Sequence, residues 1–380
     1  MNKIYLDHAA TTPLHPQAVE QMTTVMKEIY GNPSSIHAFG RQARHLLDRA
    51  RTKIARTIHA KDNEIVFTSG GTEADNLAVI GTAIANRDKG KHVITSSIEH
   101  HAVLYACNFL EKEGFEVTYV QPDENGLIHV GEIEKALRDD TILVTIMFAN
   151  NEVGTIQPIS KIGSLLKDHQ AYFHTDAVQA YGTEEIDVND LHVDLLSASA
   201  HKINGPKGVG FLYIKNGTRM DSLFYGGEQE LKRRPGTENL VSIAGFAEVA
   251  SITSSRLEEK RQSYKQLKDK FLQALEDEKI NFTVNGSMEE SVPHILNISF
   301  PGTEVESLLV NFDLSGIAAS SGSACTAGSI EPSHVLTAMF GSGSERTRNS
   351  IRFSFGLGNT GEQAVEAAEK IAEIVRRLTT

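Results

Sequence analysis

The stretch Tyr172–Gly210 reads YFHTDAVQAYGTEEIDVNDLHVDLLSASAHKINGPKGVG and holds two apolar runs, each followed by polar side chains. Asp176 closes the first run, and the pair His201 and Lys202 follows the second. The separation of 26 residues between Asp176 and Lys202 is long enough for one crossover between parallel strands. The spacing therefore predicts two strands whose carboxyl ends bring a carboxylate and a lysine to one edge of a sheet.

A carboxylate and a lysine at one sheet edge suit the chemistry of pyridoxal phosphate (PLP). Lys202 would form a Schiff base with the cofactor, and Asp176 would keep the pyridine nitrogen protonated so that the ring draws in electrons. A solvated turn that contains one of the 37 Lys and Arg residues explains the spacing equally well. Further residues are needed to separate the two interpretations.

The composition restricts the class of protein. At 380 residues the chain is longer than one typical hydrophobic core, so we expect two domains. A formal net charge of −12 argues against a nucleic-acid-binding surface as the main function. No apolar run reaches the roughly 20 residues of a membrane helix, and the first residues lack the apolar core of a signal peptide. Two cysteines, Cys107 and Cys325, make no disulfide framework, so we expect a cytoplasmic protein with reduced thiols.

Apolar runs alternate with amphipathic helical segments over the first two-thirds of the chain. This alternation predicts an α/β fold with βαβ units and a mainly parallel, seven-stranded sheet. The link from Ser199 to Gly208 suits a hairpin better than a helical crossover, so the last strand is predicted to be antiparallel. The predicted strands are Glu64–Thr68, His92–Ser96, Glu116–Val120, Thr141–Phe148, Ala171–Thr175, Asp194–Ser199 and Gly208–Ile214.

The pattern changes after Thr237. A long, charge-laced helical stretch, Glu238–Lys279, precedes a mixture of strands and helices. We therefore expect a large domain over residues 12–257 and a smaller α+β domain over residues 1–11 with 258–380. The smaller domain includes the run Gly316–Gly328, which has almost no bulky side chains and is expected to lie in a mobile, exposed loop at about residues 318–335.

Three further predicted strands end in polar residues. The run Thr68–Asn76, TSGGTEADN, joins a strand to a helix, and its glycines and free helix-start N–H groups suit a phosphate, although helix capping alone also explains it. His100 can stack on an aromatic ring or move protons, or it is an ordinary surface histidine. Asn151 is placed to hydrogen-bond a ligand, but Asn is also common in turns. Together with Asp176 and Lys202, these strand ends indicate one ligand crevice.

Three other side chains carry specific expectations. Cys325 lies in the small-residue run and is therefore not a packing residue; about 3% of an unperturbed thiol is thiolate at pH 7, and a nearby cation would raise that fraction. Cys107 lies on an apolar helical face and is predicted to be buried and inert. Arg352, inside an apolar strand, needs a partner, which is either a substrate carboxylate or an internal salt bridge.

With these motifs in place, the chain resembles cysteine desulfurases of the NifS/IscS-like branch of the class V aminotransferases, within fold type I of the PLP enzymes. The resemblance covers essentially the whole chain. The lysine block and the SGSACT block are highly specific together. The matching blocks are YLDHAATTP, GNPSSIH, FTSGGTEADNLA, SSIEHHAV, NNEVGTIQPI, HTDAVQ, SASAHKINGPKGVG, RRPGTEN, SSGSACTAG, EPSHVL and IRFSFG.

The resemblance implies PLP as cofactor and L-cysteine as substrate, with Lys202, His100 and Cys325 as catalytic residues. Sulfur would pass to Cys325 as a persulfide, leaving L-alanine, and then to an iron–sulfur scaffold protein or a tRNA-thiolating enzyme. A homodimer is implied, and no metal. For the cofactor ring, the resemblance implies a Schiff base with Lys202 and contacts from Asp176 to the ring nitrogen, from Gln179 to the phenolic oxygen, from His100 to the ring face, and from Asn151. The implied phosphate contacts are Gly71, Thr72, Ser199, His201 and a neighbouring subunit's Thr237. Asn151 and Arg352 would hold the substrate carboxylate.

Other functions remain open at this point. A selenocysteine lyase or another class V aminotransferase is the nearest alternative, although plain transamination needs no thiol nucleophile. A non-haem iron oxygenase would use His174, Asp176 and a later histidine, but the βα alternation argues against its expected all-β barrel. A non-catalytic sulfur-relay scaffold is disfavoured because Lys202, Asp176 and Cys325 are all present.

Overall fold

The computed structural model describes residues 3–322 and 332–380. Its strands are β1 Ile4–Tyr5, β2 Ile65–Thr68, β3 His92–Ser96, β4 Glu116–Val120, β5 Thr141–Thr145, β6 Tyr172–Asp176, β7 Leu195–Ser199, β8 Gly210–Ile214, β9 Thr283–Asn285, β10 Ile295–Ser299, β11 Ile317–Ala318 and β12 Ser350–Ser354. Its helices are α1 Pro16–Glu28, α2 Ala38–Arg56, α3 Gly71–Asn76, α4 Thr82–Ala85, α5 His101–Lys112, α6 Val130–Ala136, α7 Ile159–Leu166, α8 Leu240–Ser255, α9 Leu257–Asp277, α10 Val305–Leu314, α11 His334–Phe340, α12 Arg346–Asn349 and α13 Gly361–Thr379.

The main sheet has seven strands in the order β2-β8-β7-β6-β5-β3-β4. Strands β3 to β7 run parallel, and β8 pairs antiparallel with both β7 and β2. The α/β prediction, the seven strands and the antiparallel last strand are therefore confirmed. Strands β6 and β7 are neighbours, with Asp176 paired to Ser197, so the carboxylate and lysine ends meet at one edge.

Two faces of the sheet are covered, because successive residues of a strand point to opposite sides. In β2, Ile65 and Phe67 join the core that packs under α1, α2 and α8, whereas Val66 joins the core under α3 and α5. In β7, Leu196 likewise joins the first of these cores and Leu195 joins the second. Burial on both faces explains why these strands read as continuous apolar runs.

A separate hydrophobic core forms around the three-stranded antiparallel sheet β12-β10-β9. Phe271, Phe312 and Phe353 pack there, together with side chains of α13. Ile4 and Leu6 from the other end of the chain join this core, and β1 pairs with β11. The domain limits predicted from the sequence stay predictions.

The predicted long helical stretch Glu238–Lys279 is two helices, which corrects the expectation of one. Arg256 interrupts the helix with φ −127° and ψ 25°. Helix α8 is buried along much of its length in the first core, whereas α9 turns a single apolar face to the second core. One straight helix could not pack against both cores, so the chain changes direction at Arg256.

The parallel sheet is incompatible with the all-β barrel that the iron-oxygenase alternative requires. Across residues 3–322 and 332–380, no helix is both long enough and apolar enough to span a bilayer.

Candidate active site

A cavity of about 300 Å³ lies at the carboxyl ends of the parallel strands. Cavities of this size hold small organic ligands. The sequence-predicted site residues that line it are Gly71, Thr72, His100, Asn151, Asp176, Gln179, Ser199, His201, Lys202 and Arg352. Residues that follow five different strands are thus brought together, as expected for an open α/β sheet.

Lys202 ends a short 3-10 turn, Ala200–Lys202, that follows β7. The turn is closed by hydrogen bonds from the backbone N–H of Ile203 and of Gly205 to Ala200 O. A side chain on Gly205 would stand 2.8 Å from that carbonyl oxygen, so glycine is required there. The Lys202 Nζ donates hydrogen bonds to Ala9 O at 2.5 Å and Ala10 O at 2.9 Å.

Asp176 is the last residue of β6 and is buried. Its Oδ1 accepts a hydrogen bond from the Val178 N–H at 2.8 Å. Burial raises the pKa of Asp176 to about 6, while the Lys202 charge and the Val178 bond oppose the rise. A buried carboxylate of this kind is stabilised by a cation in the cavity.

His174 lies two residues before Asp176 in β6, on the same face of the sheet, and was not predicted as part of a PLP site. Its ring nitrogens are 2.8 Å from Thr145 Oγ1 and 3.0 Å from Ser197 Oγ. Burial lowers the pKa of His174 to about 3, so the ring is neutral. Because both nitrogens are hydrogen-bonded to hydroxyls, His174 is not available as the metal ligand that the oxygenase alternative assigned to it.

Asp75 lines the cavity and was missed by the sequence analysis. It lies three residues after Thr72, one helical turn along, and is 1% exposed. Burial and the nearby Asp176 carboxylate raise its pKa well above the usual range. Its Oδ1 has no hydrogen-bond partner in the described part of the chain and stands 3.7 Å from His174 Nε2. The sequence signal that could have identified Asp75 is an acidic residue on the side of α3 that faces the sheet.

His100 caps the start of α5, and its Nδ1 accepts a hydrogen bond from the Ala102 N–H at 3.1 Å. Burial, followed by the Lys202 charge, lowers the pKa of His100 to about 4. The ring is therefore neutral at pH 7, and its single proton lies on Nε2. His100 lines the cavity and can offer that proton to a ligand.

Gly71 and Thr72 start α3 beside Ser199 and His201. Gly70, which precedes them, has φ +153°. A side chain at Gly71 would lie 2.8 Å from Val178 Cγ2, so glycine keeps this corner of the cavity open. Unpaired helix-start N–H groups and nearby hydroxyls make a set of donors that suits a phosphate.

Gln179 is held by two hydrogen bonds. Its Nε2 donates to Ala9 O at 3.0 Å, and its Oε1 lies 3.4 Å from His294 Nε2. The amide therefore has a fixed orientation, and one N–H of Nε2 remains for the cavity.

Arg352 reaches the cavity from β12. Its Nη2 pairs with Asp7 Oδ1 at 2.9 Å, and its Nη1 donates to Asn151 O at 2.9 Å. The internal salt bridge considered in the sequence analysis is therefore present. Arg352 Nε and Asn151 Oδ1 are buried and have no hydrogen-bond partner among residues 3–322 and 332–380. Buried polar atoms of this kind are normally paired, so they point to a bound ligand.

One described residue of the predicted site does not line the cavity. Thr237 is exposed and does not line it. Cys325 lies outside the described residues. Cys107 is buried as predicted, and burial raises the pKa of its thiol to about 12.

Comparison with known proteins gives consistent similarities. The sequence profile described as aminotransferase class-V matches residues 4–366. The "Putative cysteine desulfurase IscS 1" of Bacillus subtilis is 57% identical over 379 residues and 100% of both chains. The "Cysteine desulfurase IscS" of Methanosarcina thermophila is 50% identical over 376 residues, 99% of this chain and 92% of that protein. A solved "NifS-like protein" superposes with a TM-score of 0.92 and 35% identity, covering 99% of this chain and 100% of that one.

Proposed function

This chain belongs to the aminotransferase class-V family and is a cysteine desulfurase, and we propose that it uses PLP to move sulfur from L-cysteine to the thiol of Cys325. The products are L-alanine and a Cys325 persulfide, so atoms and electrons balance without an added oxidant or reductant. The observation that carries the proposal is that Lys202 and Asp176 line one cavity with His100 and Arg352. The curated relatives do not favour a selenocysteine lyase or another class V aminotransferase.

The residues of the cavity fit PLP. The buried Asp176 carboxylate suits a protonated ring nitrogen, and Gln179 has an N–H for the phenolic oxygen. The open corner at Gly71, with Thr72, suits the phosphate. Ser199 and His201 would bind the same phosphate, and Lys202 would hold the aldehyde carbon. When bound, PLP supplies an electron-withdrawing ring that acidifies the Cα proton of an amino acid and weakens its Cβ–S bond.

Each further role belongs to a side chain of the protein. Lys202, held near Ala9 O and Ala10 O, moves the Cα proton of the substrate. His100 holds its proton at Nε2 and supplies it as charge develops. Arg352 Nε and Asn151 Nδ2 donate hydrogen bonds to the substrate carboxylate and fix its orientation. The Cys325 thiolate attacks the substrate sulfur.

We also propose a cytoplasmic homodimer in which a partner copy presents its Thr237 to the phosphate site. Support comes from the exposure of Thr237 and of several large apolar side chains. Tyr30 and Phe39 stack with ring centroids 5.3 Å apart at the surface, and Tyr225 is 94% exposed. Exposed apolar groups of this size are commonly covered by another chain.

Turnover of L-cysteine by the PLP-loaded protein tests the activity. We expect equimolar L-alanine and, on the peptide that contains Cys325, an added mass of one sulfur atom. Cys325→Ala should keep the cofactor absorption and lose the persulfide. Alanine formation at the wild-type rate in Cys325→Ala would contradict the role of Cys325.

The sulfur acceptor is proposed to be an iron–sulfur scaffold protein or a tRNA-thiolating enzyme. Loading the protein with radiolabelled cysteine and mixing it separately with a purified representative of each class tests this. Label should pass to one of them from wild type and not from Cys325→Ala. Transfer to neither would contradict the proposed acceptors without affecting the desulfurase activity.

A further inference from the structure

One buried carboxylate lies between the two described chain segments that flank residues 323–331. Glu152 is 1% exposed and follows the strand-end residues Asn150 and Asn151. On one side, a side chain at Gly322 would stand 2.7 Å from Glu152 Oε2, so the Gly322 backbone passes directly over the carboxylate. On the other side, Ser333 Oγ donates a hydrogen bond to the same Oε2.

Glu152 is itself held rigidly. Its N–H donates to Asn150 Oδ1 at 2.9 Å, and its carbonyl accepts a hydrogen bond from Asn297 Nδ2 at 3.2 Å. Asn150 is in turn anchored through Nδ2 to Ile98 O at 3.0 Å. The carboxylate is therefore fixed relative to the turn that carries Asn151 of the cavity.

Ser333 begins α11 and is oriented by two hydrogen bonds. Its Oγ accepts from the Leu336 N–H at 3.1 Å as the N-cap, so its own proton is directed to Glu152. His334 Nε2 lies 2.9 Å from Glu99 O, and its Nδ1 is 4.0 Å from Glu152 Oε1. The start of α11 is thus fastened to the Glu152 turn and to the loop that precedes His100.

The segment before Gly322 is fastened to the substrate-binding arginine. Ser320 and Arg352 exchange two backbone hydrogen bonds, at 3.2 Å and 2.6 Å. The Gly322 N–H lies 3.3 Å from Ser320 Oγ. Burial raises the pKa of Glu152, whereas the Ser333 bond and the Arg352 charge favour its ionised form. The same carboxylate therefore interacts with both flanking segments and with the charge of Arg352.

We propose that Glu152 is a positioning residue for sulfur transfer: it fastens Gly322 and Ser333 to the cavity and so fixes both ends of the segment that carries Cys325. The inference rests on the proposed function, since positioning of Cys325 matters for a thiol that attacks the substrate. It assigns a role to the Glu of the NNEVG block and to the Ser of the EPSHVL block, which the sequence analysis quoted without one.

A matched pair of glycine variants tests the contact with Glu152. Gly322 and Gly341 both have φ +83°, so alanine strains the backbone at each position. A side chain at Gly341 meets no atom of the described residues within 4 Å, whereas one at Gly322 collides with Glu152. Gly322→Ala should therefore lose function, and Gly341→Ala should report backbone strain alone.

The first measurement uses protein without cofactor. Alkylation by iodoacetamide reports on Cys325, because Cys107 is buried and its thiol pKa is about 12. The alkylation rate constant of Cys325 should differ from wild type in Gly322→Ala and in Glu152→Ala, and should match wild type in Gly341→Ala and Glu152→Gln. Glu152→Gln keeps an oxygen for the Ser333 hydroxyl and is the conservative rescue.

The second measurement uses loaded protein in a single turnover with L-cysteine. Misplacing a reacting group by about 1 Å can cost about 100-fold, so persulfide formation should fall at least about tenfold in Gly322→Ala and Glu152→Ala. The absorption change on adding cysteine should remain. Equal alkylation and persulfide rates in Gly322→Ala and Gly341→Ala would overturn the proposal. If wild type forms no persulfide, the proposed function fails, and alkylation alone decides the positioning role.

Discussion

The two walls of the cavity are built in different ways. The wall formed by the sheet carries His100, Asp176 and Lys202, each placed by the end of a neighbouring strand. The opposite wall carries Ala9, Ala10 and Arg352 and depends on contacts such as the Asp7–Arg352 pair, whose partners are 345 residues apart. The proposed cofactor contacts therefore depend on local strand order, whereas the proposed substrate contacts depend on closure between distant parts of the chain.

Removal of Lys202 from the sheet wall should have the largest effect on activity. Lys202→Ala should lose the cofactor's covalent attachment and reduce L-alanine formation by about 1,000-fold or more, because it removes a positioned proton carrier as well. Absorption spectra and an alanine assay measure both effects. Lys207→Ala, at an exposed lysine of the same block, is the matched control and should behave as wild type. An unchanged absorption spectrum in Lys202→Ala would overturn the PLP assignment.

A substitution at Arg352, in the opposite wall, should weaken substrate binding and leave cofactor binding unchanged. Arg352→Lys keeps the charge but loses the guanidinium Nε donor, so KM for L-cysteine should rise about tenfold to a hundredfold while the cofactor spectrum stays unchanged. Steady-state kinetics on loaded protein measure this. The exposed Arg348→Lys serves as control. A fall in kcat with no change in KM would mean that the two walls are not divided by function.

The buried His174 of β6 should make the stability of the protein depend on pH. The pKa of His174 is about 3 in the folded protein and about 6.5 in the unfolded chain, so the unfolded chain takes up this proton first as pH falls. The free energy of unfolding should therefore drop by about 1.5 kcal/mol from this residue between pH 6.5 and pH 5.

His174→Gln should remove that part of the slope. Urea unfolding of both proteins at several pH values between 5 and 7 measures it. The exposed His129→Gln is the control for a histidine outside the core. Parallel pH profiles of His174→Gln and wild type would show that His174 is not the source of the slope.

The smallest effect is expected away from both walls. Cys107→Ala leaves a small void in the core between α5 and the main sheet, which should cost about 1 kcal/mol of stability and leave L-alanine formation unchanged. Thermal unfolding and the alanine assay measure the two effects. A large loss of activity would mean that Cys107, and not Cys325 alone, takes part in sulfur chemistry.

The sheet wall could be predicted because its rules are local. Buried runs such as Thr141–Thr145 mark parallel strands, and polar residues after a strand fall at one edge. The opposite wall could not: Arg352 had two equally good partners in sequence, and nothing near Ala9 indicates that its carbonyl accepts a bond from Lys202. The break at Arg256 was missed because both helices carry helical periodicity and differ in the core they face.

The segment Asp7–Ala10 touches both the cofactor lysine and the substrate arginine. During synthesis this segment leaves the ribosome long before Arg352. The Asp7 carboxylate therefore cannot pair with Arg352 until that residue has been made. A translation product that stops short of Arg352 therefore contains Lys202 but has only one wall of the cavity. Completion of the cavity therefore requires synthesis of nearly the whole chain.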